Sequence, residues 1–184
     1  MTYMSISVEI AQLVKQGRLY LHQPLMPPDA GAIPRYIYIN KEFHSILFGP
    51  WESEEWELRC GYLRADLDRF VQGGLIPVAE SPLSGGRNSY MRQLFRWREE
   101  VWEIRSRDPK PGIRVMGRFA DTDVFIALSW WHRADLGGPK ARAWRDAIVG
   151  CKTEWKNLFP TYNPKSSGGN NDYPNACISK TYLV

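Results

Sequence analysis

The segment Val124-Phe-Ile-Ala-Leu-Ser-Trp-Trp131 constrains the fold more than any other stretch of this 184-residue chain. Its side chains are apolar at consecutive positions, so a strand built from it has to be covered by protein on both faces. Residues 101–105 and 113–119 precede it and alternate apolar side chains with charged ones, which is the pattern of half-buried strands. Short turns join the three segments. They predict a three-stranded antiparallel meander near residues 101–133, with the apolar segment as its central strand.

The first 80 residues predict an α+β extension in front of this sheet. Residues 3–16 carry apolar side chains at helical spacing. Residues 35–40 and 43–48 read as the two strands of a hairpin. A longer helix follows from Pro50 to the glycine pair at 73–74, and its first turns are acidic, as the positive end of the helix dipole favours.

The chain is predicted to divide into three parts. Residues 1–80 form the extension, residues 81–160 the core that holds the meander, and residues 161–184 a polar, loosely ordered tail. Residues 90–97 have helical spacing and favour a helix, with a strand as the alternative. A last helix is expected after Gly137-Gly138-Pro139. The fold class predicted is therefore α+β, a small antiparallel sheet packed by helices and preceded by the extension.

Positive charge is concentrated in the second half of the chain. Residues 1–80 carry seven basic and ten acidic side chains, whereas residues 81–160 carry fifteen basic and nine acidic ones. Such asymmetry suggests a basic surface that faces an anionic partner, and nucleic acid is the commonest of these. The alternative is that the two halves complement each other across an internal interface. Both interpretations stay open at the level of sequence.

Several classes of protein are disfavoured by what the sequence lacks. It contains no glycine-rich phosphate-binding motif and no GxSxG nucleophile motif. Cys60, Cys151 and Cys177 have no metal-ligand spacing and read as ordinary thiols in a reducing compartment. We therefore expect no metal and no cofactor. No apolar stretch is long enough to span a membrane, and no signal peptide is evident, so a cytoplasmic location is predicted.

The alternation of the meander predicts an arginine-rich face of the sheet. Side chains two residues apart share a face, and antiparallel pairing brings the arginines of neighbouring strands together. Trp131 and His132 would lie at the edge of this face. The predicted nucleic-acid-binding residues are Arg105, Arg107, Arg118, Trp131 and Lys110. The alternative is a solvated surface whose arginines form local ion pairs with Glu103, Asp121 and Asp123.

Three segments resemble the RelE/ParE/HigB superfamily of bacterial toxins. They are Val101-Trp-Glu-Ile-Arg105, Gly112-Ile-Arg-Val115 and Phe125-Ile-Ala-Leu-Ser-Trp-Trp-His-Arg133. Pro139 and a helix containing Ala147 follow them, as in that superfamily, and the resemblance covers roughly residues 90–157. It implies a small antiparallel sheet packed by helices. For the RelE and HigB branches it implies metal-independent, ribosome-dependent cleavage of mRNA, and for the ParE branch inhibition of DNA gyrase.

Carried over residue by residue, the resemblance implies three catalytic positions. Arg114 corresponds to the arginine of the second strand and Arg133 to the basic residue that closes the third. In this mechanism the ribose 2′-OH attacks the adjacent phosphate and the arginines stabilise the developing charge, while His132 moves protons. RNA or the ribosome and an antitoxin protein are the implied partners. A lysine pair and a tyrosine typical of RelE are absent, so the alternative is a non-catalytic, protein-binding module of the same fold.

Overall fold

A computed structural model gives the structure of the protein and describes residues 5–81, 88–94, 97–138, 141–168 and 173–184. The helices are α1 (Ile6–Lys15), α2 (Lys41–Phe48), α3 (Glu54–Val71) and α4 (Arg142–Leu158), with a 3-10 turn at Trp97–Glu99. The strands are β1 (Leu19–Leu21), β2 (Tyr36–Asn40), β3 (Ile76–Val78), β4 (Met91–Gln93), β5 (Trp102–Ser106), β6 (Ile113–Asp121), β7 (Val124–His132) and β8 (Thr181–Leu183).

All eight strands belong to one mixed sheet, in the order β1-β2-β7-β6-β5-β4-β3-β8. The pairs β1–β2, β7–β6, β6–β5 and β5–β4 are antiparallel, whereas β2–β7, β4–β3 and β3–β8 are parallel. The predicted fold class, a small antiparallel sheet, is therefore wrong. Strands β5, β6 and β7 are neighbours in antiparallel order, but they form the middle of an α/β sheet. Parallel pairs require crossover connections, and here helices and long connections provide them.

Helices cover both faces of the sheet and create two cores. Helices α2 and α3 pack on one face, and α1 and α4 pack on the other. The α2/α3 core includes Phe43, Leu67, Phe70 and Trp102, and the α1/α4 core includes Leu13, Met116, Ala147 and Trp155. Strand β7 supplies alternate side chains to each core, which explains why its sequence is apolar at consecutive positions.

The predicted hairpin strand at residues 43–48 is wrong, because this segment lies in helix α2. Asn40 ends β2 and caps the helix, since its side chain accepts a hydrogen bond from the Phe43 backbone amide at 3.0 Å. Phe43 and Leu47, four residues apart, are buried against the sheet. Local capping and an apolar i, i+4 pair thus override the β propensity of the segment.

The helix favoured for residues 90–97 is also wrong for its first part, which is strand β4. Met91 and Gln93 are buried on one face, and Arg92 points to the other. Strand β4 pairs antiparallel with β5 and places Arg92 opposite Glu103. Pairing with β5 therefore determines the conformation of this short segment and overrides its helical spacing.

The end of the chain packs on the sheet, in contrast to the loose order predicted for the tail. Strand β8 pairs with β3, and the side chains of Cys177 and Ile178 are fully buried in the α2/α3 core. Glu100 accepts hydrogen bonds from the backbone and hydroxyl groups of Ser167, which holds the start of the tail. None of the helices in the described residues has the length and apolar character needed to cross a membrane.

Candidate functional site

Four charged side chains meet on the sheet face that α4 covers. The register places Arg105 of β5 directly opposite Arg114 of β6, and Arg92 of β4 directly opposite Glu103 of β5. Glu103 and Arg105 are two residues apart and share this face. Cross-strand pairing therefore brings three cations and one anion together.

Glu103 forms ion pairs with all three of these arginines. Its Oε1 atom lies 2.7 Å from Arg105 Nε and 3.1 Å from Arg92 Nη2, and its Oε2 atom lies 3.6 Å from Arg114 Nε. We call this group, Arg92, Arg105 and Arg114 around Glu103, the arginine cluster. Three guanidinium groups and one carboxylate carry a formal charge of +2.

The arginine cluster lies largely away from water. The Glu103 side chain is fully buried, and those of Arg105, Arg114 and Arg92 are 8%, 13% and 19% exposed. The pKa of Arg114 is lowered to about 10, mainly by burial and further by the neighbouring cations Arg105, Arg133 and Arg107, while Glu103 acts in the opposite direction. Burial also lowers the pKa of Arg92. The cluster thus holds an excess of positive charge where charge is costly.

The beginning of α4 borders the arginine cluster. Trp144, in the first turn of this helix, is buried and contacts two guanidinium groups, since its ring centre lies 5.9 Å from that of Arg92 and 5.6 Å from that of Arg133. Ala141 at the N-cap offers no side-chain acceptor to the first-turn amides, and the first turn contains no acidic residue. The positive end of the helix dipole therefore adds to the positive field of the arginines.

The other predicted binding residues lie outside the arginine cluster. Arg118 shares the face but is buried beneath α4, where its guanidinium lies 5.4 Å from the Trp155 ring and donates to the Glu99 carbonyl. Arg107 follows β5 and donates to the Ser89 carbonyl at 2.6 Å. Lys110 is exposed in the turn between β5 and β6, with its ammonium 3.7 Å from Asp108.

The structure does not bring His132 to the arginines. His132 pairs with Ile113 and contacts the rings of Trp56 and Trp130, all on the α2/α3 side of the sheet. Trp131 pairs with Arg114 and packs on the α1/α4 side, where it is half-buried. Adjacent residues of a strand point to opposite faces, which separates these two neighbours. Of the three predicted catalytic positions, Arg114 and Arg133 lie near each other and His132 does not.

Sequence reasoning missed two residues of this site. Arg92 falls in residues 90–97, for which a helix is favoured, and residues 90–94 show no strand-like alternation because the apolar Tyr90 and Leu94 have the same parity as Arg92. Trp144 lies in the predicted last helix, and its two cation contacts had no signal in the sequence. These contacts form because the first turn of α4 lies beside Arg92 of β4 and Arg133 at the end of β7.

A cleft of about 330 Å³ adjoins the arginine cluster, between α3 and the ends of β4 and β5. Six of the residues that line it are Tyr62, Asp66, Arg69, Asn88, Arg105 and Arg107. Arg105 belongs to both the cleft and the arginine cluster, because it lines the cleft and its Nε atom lies 2.7 Å from Glu103 Oε1.

The cysteines and the metal-ligating residue types form no site within the described residues. All three thiols are free and buried, and burial raises the pKa values of Cys151 and Cys177 to about 12. No group of three or more His, Cys, Asp or Glu side chains in the described part of the chain is arranged to hold a metal ion.

Comparison with known proteins gives no relative from which a function could be inferred. No protein-family model, no curated protein and no solved structure matches the chain. The resemblance to RelE-like toxins therefore stays a prediction, and the function of the protein is inferred from its arginine cluster.

Proposed function

We propose that this protein binds single-stranded RNA through the arginine cluster, and that it does not cleave RNA by a mechanism that depends on His132. The observation that carries the proposal is the shared carboxylate, because three largely buried arginines have Glu103 as their common ion-pair partner. A phosphate group that enters between them would offset the remaining positive charge.

Phosphate is the anion that matches these donors best. A guanidinium group presents its N–H groups in a planar fork that fits two phosphate oxygens, and hydrogen bonds between charged groups are the stronger kind. The N-terminus of α4 adds backbone amides and a positive dipole on the same side, a combination that favours phosphate. Arg133 lies at the border and can contact a second phosphate group along the strand.

The burial of the arginine cluster favours a single strand over a duplex. A fifth or less of each cluster side chain is exposed, so these groups present little surface and suit one phosphate better than the two backbones of a duplex. The half-buried ring of Trp131, which pairs with Arg114 on the same face, offers a surface on which an unpaired base can stack.

The RelE-like resemblance implies that the protein binds RNA and cleaves it. The proposal keeps RNA as the ligand but not cleavage that depends on His132. Cleavage by 2′-OH attack requires a group that moves protons beside the phosphate. His132 lies on the α2/α3 side of the sheet, where its ring packs against Trp56 and Trp130, so its imidazole does not lie beside a phosphate bound at the arginine cluster on the α1/α4 side. The ribosome and an antitoxin protein remain predicted partners.

Fluorescence anisotropy with a labelled single-stranded RNA of about ten nucleotides tests the proposal, because this length covers the usual site sizes. Arg114→Met should weaken binding at least about tenfold, the size of one charge-assisted contact, and make its salt dependence shallower. Arg145→Met is the matched control, because it makes the same charge change on the exposed surface of α4. Its affinity should stay within about twofold of the wild type.

Two results would contradict the proposal. Equal losses of affinity in Arg114→Met and Arg145→Met would show that net charge, rather than the arginine cluster, determines binding. Cleavage of the RNA by the wild type that is abolished in His132→Ala would contradict the non-cleaving part of the proposal. A gel of the RNA after incubation with each variant gives the second measurement.

A further inference from the structure

The cleft beside the arginine cluster combines an aromatic ring with polar groups. Tyr62 of α3 is 48% exposed at the cleft, and Asn88 is exposed just before β4. Asp66 lies one turn after Tyr62 and is half-buried. The volume of about 330 Å³ falls at the lower end of the range for small-ligand pockets and suits one planar ring system.

Asp66 supplies a hydrogen-bond acceptor to this cleft. Burial raises the pKa of its carboxyl group, whereas a hydrogen bond from Ser106 and the positive charges of Arg69 and Arg107 lower it. Arg69 is fixed beside it, since its guanidinium lies 5.0 Å from the centre of the Tyr90 ring, and the Tyr90 hydroxyl donates to the Asp66 carbonyl at 2.5 Å. The acceptor is thus held on a rigid part of the helix.

Ser89 and Arg105 connect the cleft to the arginine cluster. Arg105 Nη1 donates to the Ser89 hydroxyl at 2.9 Å, and Arg107 donates to the Ser89 carbonyl at 2.6 Å. Tyr62 and Asp66 belong to α3, on the other side of the sheet from the arginine cluster, and Arg105 and Ser89 lie at the strand ends where the two sides meet. A ligand with its phosphate at the cluster would therefore reach the cleft by passing around these strand ends.

We propose that this cleft binds one unstacked nucleobase that carries an exocyclic amino group, with the ring against Tyr62 and the amino group donating to Asp66. The proposal rests on RNA binding at the arginine cluster and specifies which nucleotides are bound. Adenine, cytosine and guanine have such an amino group, and unpaired bases are commonly read by stacking and edge hydrogen bonds. Uracil presents carbonyl oxygens beside its N3–H group, and the carboxylate of Asp66 repels them.

The test uses uridine oligonucleotides of about eight residues in which one central base is A, C, G or U, a length within known site sizes. Against wild-type protein, the three amino-bearing oligonucleotides should bind about five- to tenfold more tightly than the all-uridine one, as one well-placed base contact allows. Asp66→Asn should reduce this preference to within about twofold, because the amide also presents a donor to the base. Tyr62→Leu should weaken all four oligonucleotides, since it removes the stacking surface.

Glu57→Gln is the matched control, because it removes one negative charge from an exposed position of the same helix. It should leave the base preference unchanged, and thermal unfolding of each variant checks that the fold is intact. Equal wild-type affinity for the four oligonucleotides, or a preference that persists in folded Asp66→Asn, overturns the proposal.

Titration with mononucleotides tests the nucleobase cleft independently of RNA binding at the arginine cluster. If no oligonucleotide binds, NMR titration with 5′-CMP and 5′-UMP decides the outcome. Perturbation of the Asp66 region by CMP and not by UMP would support the cleft and overturn only RNA binding. No response to either nucleotide would overturn both proposals.

Discussion

Two buried arginine–carboxylate groups in the described part of the chain differ in how their charges balance. Arg35 is 1% exposed and has Asp123 as its carboxylate partner, 3.1 Å from its Nε atom. Its other nitrogens donate to the Gly74 carbonyl at 2.8 Å and to the Ser179 carbonyl. In the arginine cluster, by contrast, three arginines share Glu103.

The difference separates a structural role from a binding role. Asp123 Oδ1 also accepts from the Ser179 amide at 2.9 Å, so one neutral ion pair joins the start of β2, the end of α3 and the tail. In the arginine cluster, by contrast, three positive charges face the one negative charge of Glu103. A bound anion would therefore stabilise the arginine cluster more than it would stabilise the Arg35–Asp123 pair. A balanced buried pair organises the chain, whereas an unbalanced one is suited to a ligand.

Removal of Arg35 should have the largest effect on stability. Arg35→Met leaves Asp123 buried without its cation and should lower the free energy of unfolding by about 3–5 kcal/mol. Urea denaturation measures this loss. RNA affinity, measured under conditions where the variant is folded, should stay within about twofold of the wild type, because Arg35 packs on Phe70 on the α2/α3 side of the sheet and the arginine cluster lies on the other side.

Removal of the shared carboxylate should lower the stability of the protein by an intermediate amount and should strengthen RNA binding. Glu103→Gln leaves three cations without their common partner and should lower the free energy of unfolding by about 2 kcal/mol. It should also raise RNA affinity about threefold or more, because the bound phosphate no longer competes with a carboxylate. Denaturation and anisotropy give the two values. Weaker RNA binding in a folded Glu103→Gln protein would contradict an anion site at this position.

Removal of one cluster arginine should have the smallest effect on stability. Arg114→Met relieves repulsion among cations and should change the free energy of unfolding by less than about 1 kcal/mol. Phosphate at high concentration should stabilise the wild type more than this variant, since a ligand of the folded state adds stability by mass action. Thermal unfolding with and without phosphate measures both.

One result would contradict the difference proposed between the two groups. A loss in Arg114→Met as large as that in Arg35→Met would show that the arginine cluster is also a structural element. Arg142→Met serves as the surface reference for both, because Arg142 is 84% exposed and its ion pair with Asp146 should contribute no more than about 1 kcal/mol.

Local patterns predicted the strands of the meander but not their surroundings. Alternation in residues 101–119 identified β5 and β6, and their register places the apolar side chains of both strands on the same face. The α2 segment was mistaken for a strand because its apolar spacing fits both periods over so few residues, although Asn40 carried a capping signal. Arg92 was lost from the site for a similar reason, since three residues of β4 are too few to show a period.

The sequence by itself determined which residues have to be covered on both faces, which strands alternate, and that arginines of neighbouring strands lie side by side. Only the tertiary structure decided that β2 lies beside β7 and β8 beside β3, since these parallel pairs join segments far apart in the chain. It also decided that Trp144 contacts two guanidinium groups and that His132 lies on the other side of the sheet from Arg114. Alternation and spacing are local, whereas sheet order and helix position result from packing the whole chain around two cores.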